Sequence, residues 1–223
     1  QAGGTVFVTN VNTGHYSLSA AGAAFGIDNR VEISFASQHL ALDALGKNLR
    51  QQVVGAKIRL AGNLVYTDMP QLALGVQYKR NLDGDFVRAL GARDDRGIDV
   101  YLAASKLFLG AVFGRNLLAS VDLRETKANQ IGLLGFGGDI SDSYKTEVEA
   151  SLGLMLDMHT VVGVEYRQKP DNLGFAHEDN WSDLFIAWFP SKSVSLTAAY
   201  ADLGAIAGTS GQQGFYVSVQ AGF

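Results

Sequence analysis

The chain has 223 residues, a net charge of −4, no cysteine, and charged side chains at only 18% of its positions. This charge balance argues against nucleic-acid binding, which calls for a basic surface. The lack of cysteine excludes a disulfide framework and any thiolate metal site. Hydrophobic residues make up 47% of the chain, yet no apolar run reaches the roughly 20 residues of a transmembrane helix.

Twelve segments alternate apolar with small or polar side chains, the pattern of strands with two unlike faces. Most have about the length of a tilted strand that crosses a bilayer, roughly 9–11 residues. In chain order they are Thr5–Val11, His15–Phe25, Val31–Gln38, Gln52–Leu60, Gln71–Lys79, Ile98–Leu107, Leu117–Arg124, Thr146–Leu156, Val161–Arg167, Trp181–Phe189, Val194–Ala201 and Gly214–Phe223.

The last strand closes on an aromatic residue, as in barrels inserted into Gram-negative outer membranes. We therefore predict an all-β fold: one transmembrane antiparallel up-and-down β-barrel over residues 1–223, located in the cell outer membrane. The start at Gln1 fits removal of a signal peptide or missing residues, and we expect the former. The side chains expected to act as the membrane-assembly signal, read by the barrel-assembly machinery, are Phe215, Val217, Val219 and Phe223.

Counting back from a periplasmic carboxyl terminus, every second connection should be a short periplasmic turn. These predicted turns are Ser191–Ser193, Asp157–Thr160, Gly110–Asn116, Gly62–Pro70 and Gly26–Arg30. The predicted outer loops are Asp202–Gln213, Gln168–Asn180, Glu125–Lys145, Arg80–Gly97 and His39–Gln51, and Asn12–Gly14 is predicted to be a tight outer hairpin.

Two outer loops contain apolar residues. The segment His39–Arg50 has the weak pattern of a short amphipathic helix, with Leu40, Leu42, Leu45 and Leu49 on its apolar side. The segment Ile131–Gly138 is apolar and glycine-rich, and three placements are open to it. It folds into the barrel mouth as a constriction, packs on a partner, or dips into the membrane surface. The side chains concerned are Ile131, Leu133, Leu134 and Phe136.

One face of the strands is apolar, and aromatic residues lie near the strand ends, where a membrane barrel has its girdles. The girdle residues are Tyr78, Tyr166, Trp188, Tyr200 and Phe223. A soluble sandwich would have equally apolar inner faces. The opposite faces argue against it, because they are small and charged and have no second core to fill.

The charged residues on this opposite face are predicted to point into the lumen. Opposite charges recur on adjacent strands, which limits the cost of burying them. Two interpretations are open: a network that braces the wall, or a selectivity ring for a small polar or charged solute. The lumen residues are Glu32, Lys57, Arg59, Lys79, Asp99, Asp122, Arg124, Glu147, Glu149, Glu165, Arg167 and Asp183.

A rim enzyme acting on lipid or peptide is a weaker alternative. Its best candidate is His177-Glu178-Asp179, with Asp171 and Asp183 nearby, and these carboxylates could also hold a divalent cation. A polar surface loop explains the same residues more simply. We therefore expect no catalytic residue, no metal and no cofactor.

Four blocks resemble one family of Gram-negative outer-membrane proteins, a domain-of-unknown-function family. They are Gly91–Asp95, Thr126–Asp139, Tyr166–Phe175 and Val194–Gly204. The resemblance extends from about Tyr16 onward. It implies a barrel in the outer membrane, without indicating an activity, and it directs attention to the outer loops that carry the blocks.

The sequence thus predicts a porin-like protein: a narrow or loop-plugged channel for small polar solutes. The alternative is a scaffold barrel that docks envelope partners through its outer loops. The expected contacts are outer-membrane lipid and lipopolysaccharide, the barrel-assembly machinery and an envelope protein partner, without nucleic acid.

Overall fold

A computed structural model describes residues 2–42 and 46–223. These residues form a closed barrel of antiparallel strands in which sequence neighbours are spatial neighbours and the last strand pairs with the first. The strands are β1 (Ala2–Thr13), β2 (Tyr16–Ile27), β3 (Val31–Leu42), β4 (Lys47–Ala61), β5 (Gln71–Asn81), β6 (Arg96–Val112), β7 (Arg115–Thr126), β8 (Lys145–Met155), β9 (Thr160–Arg167), β10 (Trp181–Ser191), β11 (Val194–Asp202) and β12 (Gln213–Gly222). The predicted fold is confirmed, and the soluble sandwich is excluded.

The connections differ between the two ends of the barrel. Residues 82–95, 127–144, 168–180 and 203–212 form long connections at one end, and helix α1 (Gly84–Ala89) and a short 3-10 turn (Asn129–Gly132) lie within them. At the other end, residues 28–30, 113–114, 156–159 and 192–193 form short turns, and residues 62–70 form a longer one. Asp28 and Asn29 both have positive φ, as a tight hairpin turn of matching twist requires.

The prediction of a long outer loop with a helix at His39–Arg50 is wrong. Strand β3 continues to Leu42 and β4 begins at Lys47, with Leu40 paired to Leu49. The apolar residues here obey the period of two and point into the barrel, where Leu40, Leu42 and Leu49 are buried. A helix of so few turns has little intrinsic stability, so strand pairing and this burial prevail. The predicted residue Leu45 lies outside the described residues.

The outward wall of the barrel is apolar. Exposed side chains on alternate positions include Ile33, Phe35, Val54, Ile98 and Val217. A protein that exposed this much apolar surface to water would be an aggregation hazard, whereas lipid is its natural solvent. Aromatic residues border the band: Tyr78, Tyr166 and Tyr200 toward the long connections, and Trp188 and Phe223 toward the short turns.

The seam of the barrel is made by its first and last strands. Phe215, Val217 and Val219 point outward on β12, and Phe223 exchanges two backbone hydrogen bonds with Gly4. The Phe223 ring lies against Gly4, where a Cβ would overlap it. Among the described residues, no helix is long and apolar enough to cross a membrane.

The hydrophobic core lies inside the barrel at the long-connection end, not along its length. The strands contribute the wall residues Val11, Tyr16, Leu40, Leu42, Leu49 and Ala201, and the connections supply the remainder. We call residues 82–95, 127–144, 168–180 and 203–212 the loop layer. Its core members are Val87, Ala92, Leu133, Leu134, Leu173, Leu203 and Ile206.

Candidate channel lumen and loop layer

Five charged side chains of alternating sign follow five adjacent strands, β5 to β9, around the inner wall. We call Lys79, Asp99, Arg124, Glu149 and Arg167 the ion chain. Lys79 Nζ lies 2.6 Å from Asp99 Oδ2, and Arg124 Nη1 lies 3.6 Å from the same oxygen. Glu149 Oε1 lies 2.6 Å from Arg124 Nε and 2.7 Å from Arg167 Nη2. Adjacent strands at one depth make this pairing possible.

Arg124 occupies the centre of the ion chain. Its guanidinium donates to Gln77 Oε1 at 2.9 Å and lies 4.6 Å from the centre of the Tyr101 ring. Thr126 donates a further hydrogen bond to Asp99. Each of these buried charges therefore has a partner of opposite charge or a hydrogen-bonding group in the lumen. Such partners offset the cost of removing a charge from bulk water. These contacts support the bracing interpretation for this part of the wall.

The other predicted lumen charges also lie on the inward face but have different surroundings. Glu32 and Lys57 are cross-strand neighbours whose charged atoms are 3.0 Å apart. Arg59 and Glu147 make no ion pair with any described residue.

Three further acids, Asp122, Glu165 and Asp183, have no ion-pair partner among the described residues. Asp183 stands directly opposite Glu165 across β9 and β10, so that two like charges face each other. Asp183 Oδ1 is buried without a hydrogen-bond partner among residues 2–42 and 46–223. Like charges at directly opposed positions are unfavourable. These three acids, together with Arg59 and Glu147, are therefore the lumen charges that ion pairing does not explain.

A cavity of about 460 Å³ lies between two unlike walls beneath the loop layer. Asp122, Glu149, Glu165, Arg167 and Asp183 line one wall. The facing wall is uncharged where Phe7, Thr9, Val11, Leu18 and Tyr216 line it. The cavity thus combines an acidic surface with an apolar one.

Aromatic rings inside the barrel lie flat against its wall. Phe7 lies over Gly22, and Phe185 lies over Gly163, each directly across a strand pair. Tyr101 lies over Gly75 in the same way. A Cβ at any of these glycines would overlap the ring. The missing side chains make room for the rings at the wall, so the rings do not fill the lumen.

The segment Ile131–Gly138 is folded inward across the long-connection end. Leu134 and Phe136 have no exposed surface, and Ile131 is half-buried. The Phe136 ring sits against Gly97 on the inner wall, in space that a Cβ would occupy. Asn81 Nδ2 donates to Leu133 O at 2.7 Å, and Gln51 Nε2 donates to Ile131 O at 3.2 Å. These contacts join the segment to the inner wall of the barrel.

A buried ion pair within residues 168–180 is hydrogen-bonded to Gln130, the residue just before the segment. Lys169 Nζ and Glu178 Oε2 lie 3.6 Å apart, and their side chains are only 2% and 1% exposed. Glu178 also accepts the backbone N–H of Gln130 at 2.7 Å, while Lys169 donates to Gln130 Oε1 at 3.2 Å. We call Gln130, Lys169 and Glu178 the latch. Gln130 and Ile131 have φ of 44° and 58°, a left-handed conformation that is costly for non-glycine residues.

Burial shifts both titratable members of the latch toward their neutral forms. The pKa of Glu178 is raised to about 7 because burial disfavours the carboxylate, although Lys169 and the Gln130 N–H oppose the shift. The pKa of Lys169 is lowered to about 8 because burial disfavours the ammonium, although Glu178 opposes it. Lys169 also lies 4.9 Å from the centre of the Trp181 ring, a favourable position for a cation.

The His177–Asp179 group does not converge on one site. His177 Nδ1 lies 2.7 Å from Asp171 Oδ2 at the surface, and this contact raises the pKa of His177. Glu178 points inward to the latch, whereas Asp179 packs against Gly204. Among the described residues, no group of three or more metal-ligating side chains could hold a metal ion. The geometry is that of an ordered loop, the simpler explanation of these residues.

The sequence analysis missed several residues of the lumen and the loop layer. Gln51 on β4 and Gln77 and Asn81 on β5 occupy the alternate positions that face inward. This alternation would have identified them as lumen residues. Lys169 and Gln130 lie in connections without any period, so no sequence pattern marks them as buried.

These features define a twelve-stranded barrel of the outer-membrane type, with an apolar outer band and a charged lumen. The chain belongs to the family described as "Protein of unknown function (DUF3034)", whose model matches residues 1–220. The family resemblance is therefore confirmed. No curated protein matches the chain in sequence.

Solved structures share the fold at low sequence identity. The KdgM porin in complex with disordered oligogalacturonate matches with a TM-score of 0.61 and 10% identity, covering 98% of this chain and 99% of that one. The NanC porin matches with a TM-score of 0.56 and 11% identity, covering 98% of each chain. An outer membrane channel from Pseudomonas putida F1 matches with a TM-score of 0.54 and 13% identity, covering 99% and 94%.

Proposed function

We propose that this protein is a narrow outer-membrane channel for small polar solutes, closed at its outer mouth by the loop layer. The observation that carries the proposal is the cavity of about 460 Å³ between an acidic wall and an uncharged wall. A scaffold barrel has no need of such a space. Long connections face outward in barrels of this type, so the loop layer lies on the extracellular side.

The unpaired acids support a preference for cationic solutes. Asp122, Glu165 and Asp183 add three negative charges beside the ion chain without a positive partner among the described residues. Rings of acidic side chains favour cations in channels. The KdgM porin, which has a similar fold, is in complex with an oligogalacturonate, an acidic saccharide. The charge excess here argues for a solute of the opposite sign.

The loop layer is proposed as a gate, because its contacts can be exchanged without disturbing the barrel. The segment Ile131–Gly138 is held at the wall by the Phe136 ring at Gly97 and the hydrogen bonds from Gln51 and Asn81, and the latch holds Gln130 next to it. Moving the segment outward would break these contacts and leave the strand pairing intact.

Planar-bilayer conductance tests the channel. Replacing residues 131–138 with a short Gly/Ser linker removes the constriction, so we expect brief openings in the unaltered protein and sustained current in the variant. A folded variant that carries no current would contradict the proposal. The heat-dependent gel shift typical of folded outer-membrane barrels verifies that each protein has its barrel.

Reversal potentials in a salt gradient test the charge preference. We expect the linker variant to prefer cations, and the further substitutions D122N, E165Q and D183N to abolish most of that preference, since they remove the unpaired charge. The matched control is E125Q, which removes one acid from the outward face of β7. An equal change in the control, or none in the triple variant, would argue against the acidic wall as selector.

The latch predicts a pH dependence of opening. When the loop layer opens, Glu178 regains its ordinary pKa of 4.5, whereas in the closed layer it is about 7. The closed layer therefore binds the extra proton, and closure strengthens as pH falls from about 7 toward 4.5, by at most about tenfold per pH unit.

Lys169 has the opposite dependence. The pKa of Lys169 is about 8 in the closed loop layer and 10.5 in the open one. Its favourable contribution to closure is therefore full above pH 10.5 and is lost as the pH falls through about 8. We expect the open probability to be greatest near pH 7–8 and to decrease toward pH 5. The variant E178Q should lose the decrease, and an unchanged profile in E178Q would assign it to other groups.

The docking alternative has less support in this conformation. The apolar side chains that a partner would contact, Leu133, Leu134 and Phe136, are buried in the loop layer. For the proposed function we assign no catalytic role to the lumen or the rim. Contacts with outer-membrane lipid and the assembly machinery are part of the same proposal, as is location in the outer membrane.

A further inference from the structure

The outward wall above the aromatic girdle is basic in one sector. Between Tyr78, Tyr166 and Tyr200 and the long connections, the described residues with basic, outward-facing side chains are confined to strands β3 to β6. They are His39, Arg50, Arg80 and Arg96. At the corresponding positions the remaining strands carry neutral or acidic side chains: Asn10, Asn12, Ser17, Ser19, Glu125, Thr146, Ser182, Asp202 and Gln213.

The register brings these bases together. Arg80 on β5 stands directly opposite Arg96 on β6, and His39 on β3 stands opposite Arg50 on β4. Like charges at opposed positions of a sheet repel each other. The pair Arg80–Arg96 is therefore unfavourable to the extent that nearby anions leave its charge uncompensated.

The nearby carboxylates compensate only part of this charge. Asp83 is engaged by Arg50, with 2.9 Å between Oδ1 and Nη2. Asp95 is shared by Arg88 at 3.2 Å and Arg96 at 3.4 Å. Arg80 is exposed and makes no ion pair with any described residue. Among the described residues, the Arg80 guanidinium on the outer wall of the barrel is therefore left without a carboxylate.

An open groove of about 670 Å³ adjoins the cluster on β2 to β4. Its polar lining residues are Ser17, Ser19, His39, Lys47, Asn48, Arg50 and Asp83, and the Asp83 carboxylate is paired with Arg50. Hydroxyl, amide and guanidinium groups are the donors that hold phosphate and sugar oxygens. The groove therefore has polar partners for a phosphorylated saccharide next to a surplus of positive charge.

The depth of the cluster matches a lipid headgroup. Arg80 lies two residues beyond Tyr78, roughly 7 Å further along the strand, and so beyond the girdle at the membrane surface. Below it, Phe35, Val54 and Ile98 form an apolar wall that suits acyl chains.

From these observations we propose that the sector β2–β6 binds the phosphorylated sugar headgroup of an outer-leaflet glycolipid, lipopolysaccharide. Arg80 and Arg96 would hold a phosphate, and the groove would hold the adjoining sugar. The inference rests on the outer-membrane location proposed above, but not on conduction.

Binding of purified lipopolysaccharide to the full chain in detergent tests the proposal. We expect the variant R80Q/R96Q to bind at least about tenfold more weakly, because two charge-assisted contacts are lost. Dephosphorylated lipopolysaccharide should bind the unaltered protein with a similar loss. The matched control is R30Q/R115Q, which removes two exposed arginines at the short-turn end and should bind normally.

Three outcomes would overturn the proposal. One is equal affinity in all variants. Another is an equal loss in R30Q/R115Q, which would indicate general attraction to positive charge. The third is binding of phosphatidylglycerol or inorganic phosphate as tight as that of lipopolysaccharide, which would indicate a generic anion site. If R80Q/R96Q fails to fold, R80Q alone replaces it, because Arg96 keeps its contact with Asp95. Current through the linker variant is measured separately, so failure of the channel and failure of the lipid site remain distinguishable.

Discussion

Replacing Glu178 by alanine should loosen the loop layer by about 3–5 kcal/mol, the usual cost of removing one partner from a buried ion pair. The substitution leaves the Lys169 ammonium buried beside Gln130 and the Trp181 ring, without the Glu178 carboxylate. It also leaves the backbone N–H of Gln130 without its acceptor, in a turn that already has two left-handed residues. We expect faster proteolysis of the loops and a raised open probability, with the barrel still folded.

A second variant separates charge from packing. In K169M/E178L both charges are replaced by apolar side chains, and such replacements are often neutral or stabilising. We expect its loop layer to be more resistant to proteolysis than that of E178A. The control D85A removes a fully exposed acid from the same layer and should change neither property. Equal proteolysis of E178A and D85A would contradict the role of the latch.

Replacing Arg124 by methionine should lower the stability of the barrel itself, again by about 3–5 kcal/mol. Arg124 is the side chain shared by Asp99, Glu149 and Gln77, and methionine keeps much of its length while removing every donor. Two buried carboxylates would then face each other with one cation fewer between them. Urea-dependent folding into lipid vesicles measures the change.

The control for this variant is R115M. Arg115 is exposed at the start of β7, so its loss should alter the unfolding midpoint little. A second comparison, R124K, keeps the charge but not the planar fork that contacts Glu149 through two nitrogen atoms. We expect an intermediate loss. If R124M and R115M unfold at the same urea concentration, the ion chain does not brace the wall.

The barrel was predictable because a strand has only two faces. Once Val217 and Val219 are taken as outward, the parity of every other strand follows from its own alternation, and the hairpin order follows from connection lengths. The same rule placed Lys79, Asp99 and Arg124 on adjacent strands facing inward. It did not supply their pairing, since whether two side chains meet depends on register and rotamer.

The contacts within the loop layer could not be predicted from the sequence, for a different reason. The connections have no periodicity, so nothing in the sequence shows that Lys169 is buried or that Phe136 lies against Gly97. The latch, for example, joins residues 48 positions apart in two different loops. The error at His39–Arg50 has a related origin, because a strand that continues above the membrane looks like the start of a loop.

The ion chain extends over β5 to β9, whereas the lumen face of the remaining wall has, among the described residues, one ion pair, Glu32 with Lys57. The barrel is therefore mechanically uneven around its circumference. When the lumen widens, the strands from β10 through the seam to β4 should change their relative positions most. Strands β5 to β9, joined by the ion chain, should move together as one rigid unit. Strands β1 and β12 lie in the more deformable sector. The largest fluctuations of the barrel wall are therefore expected where the first and last strands pair.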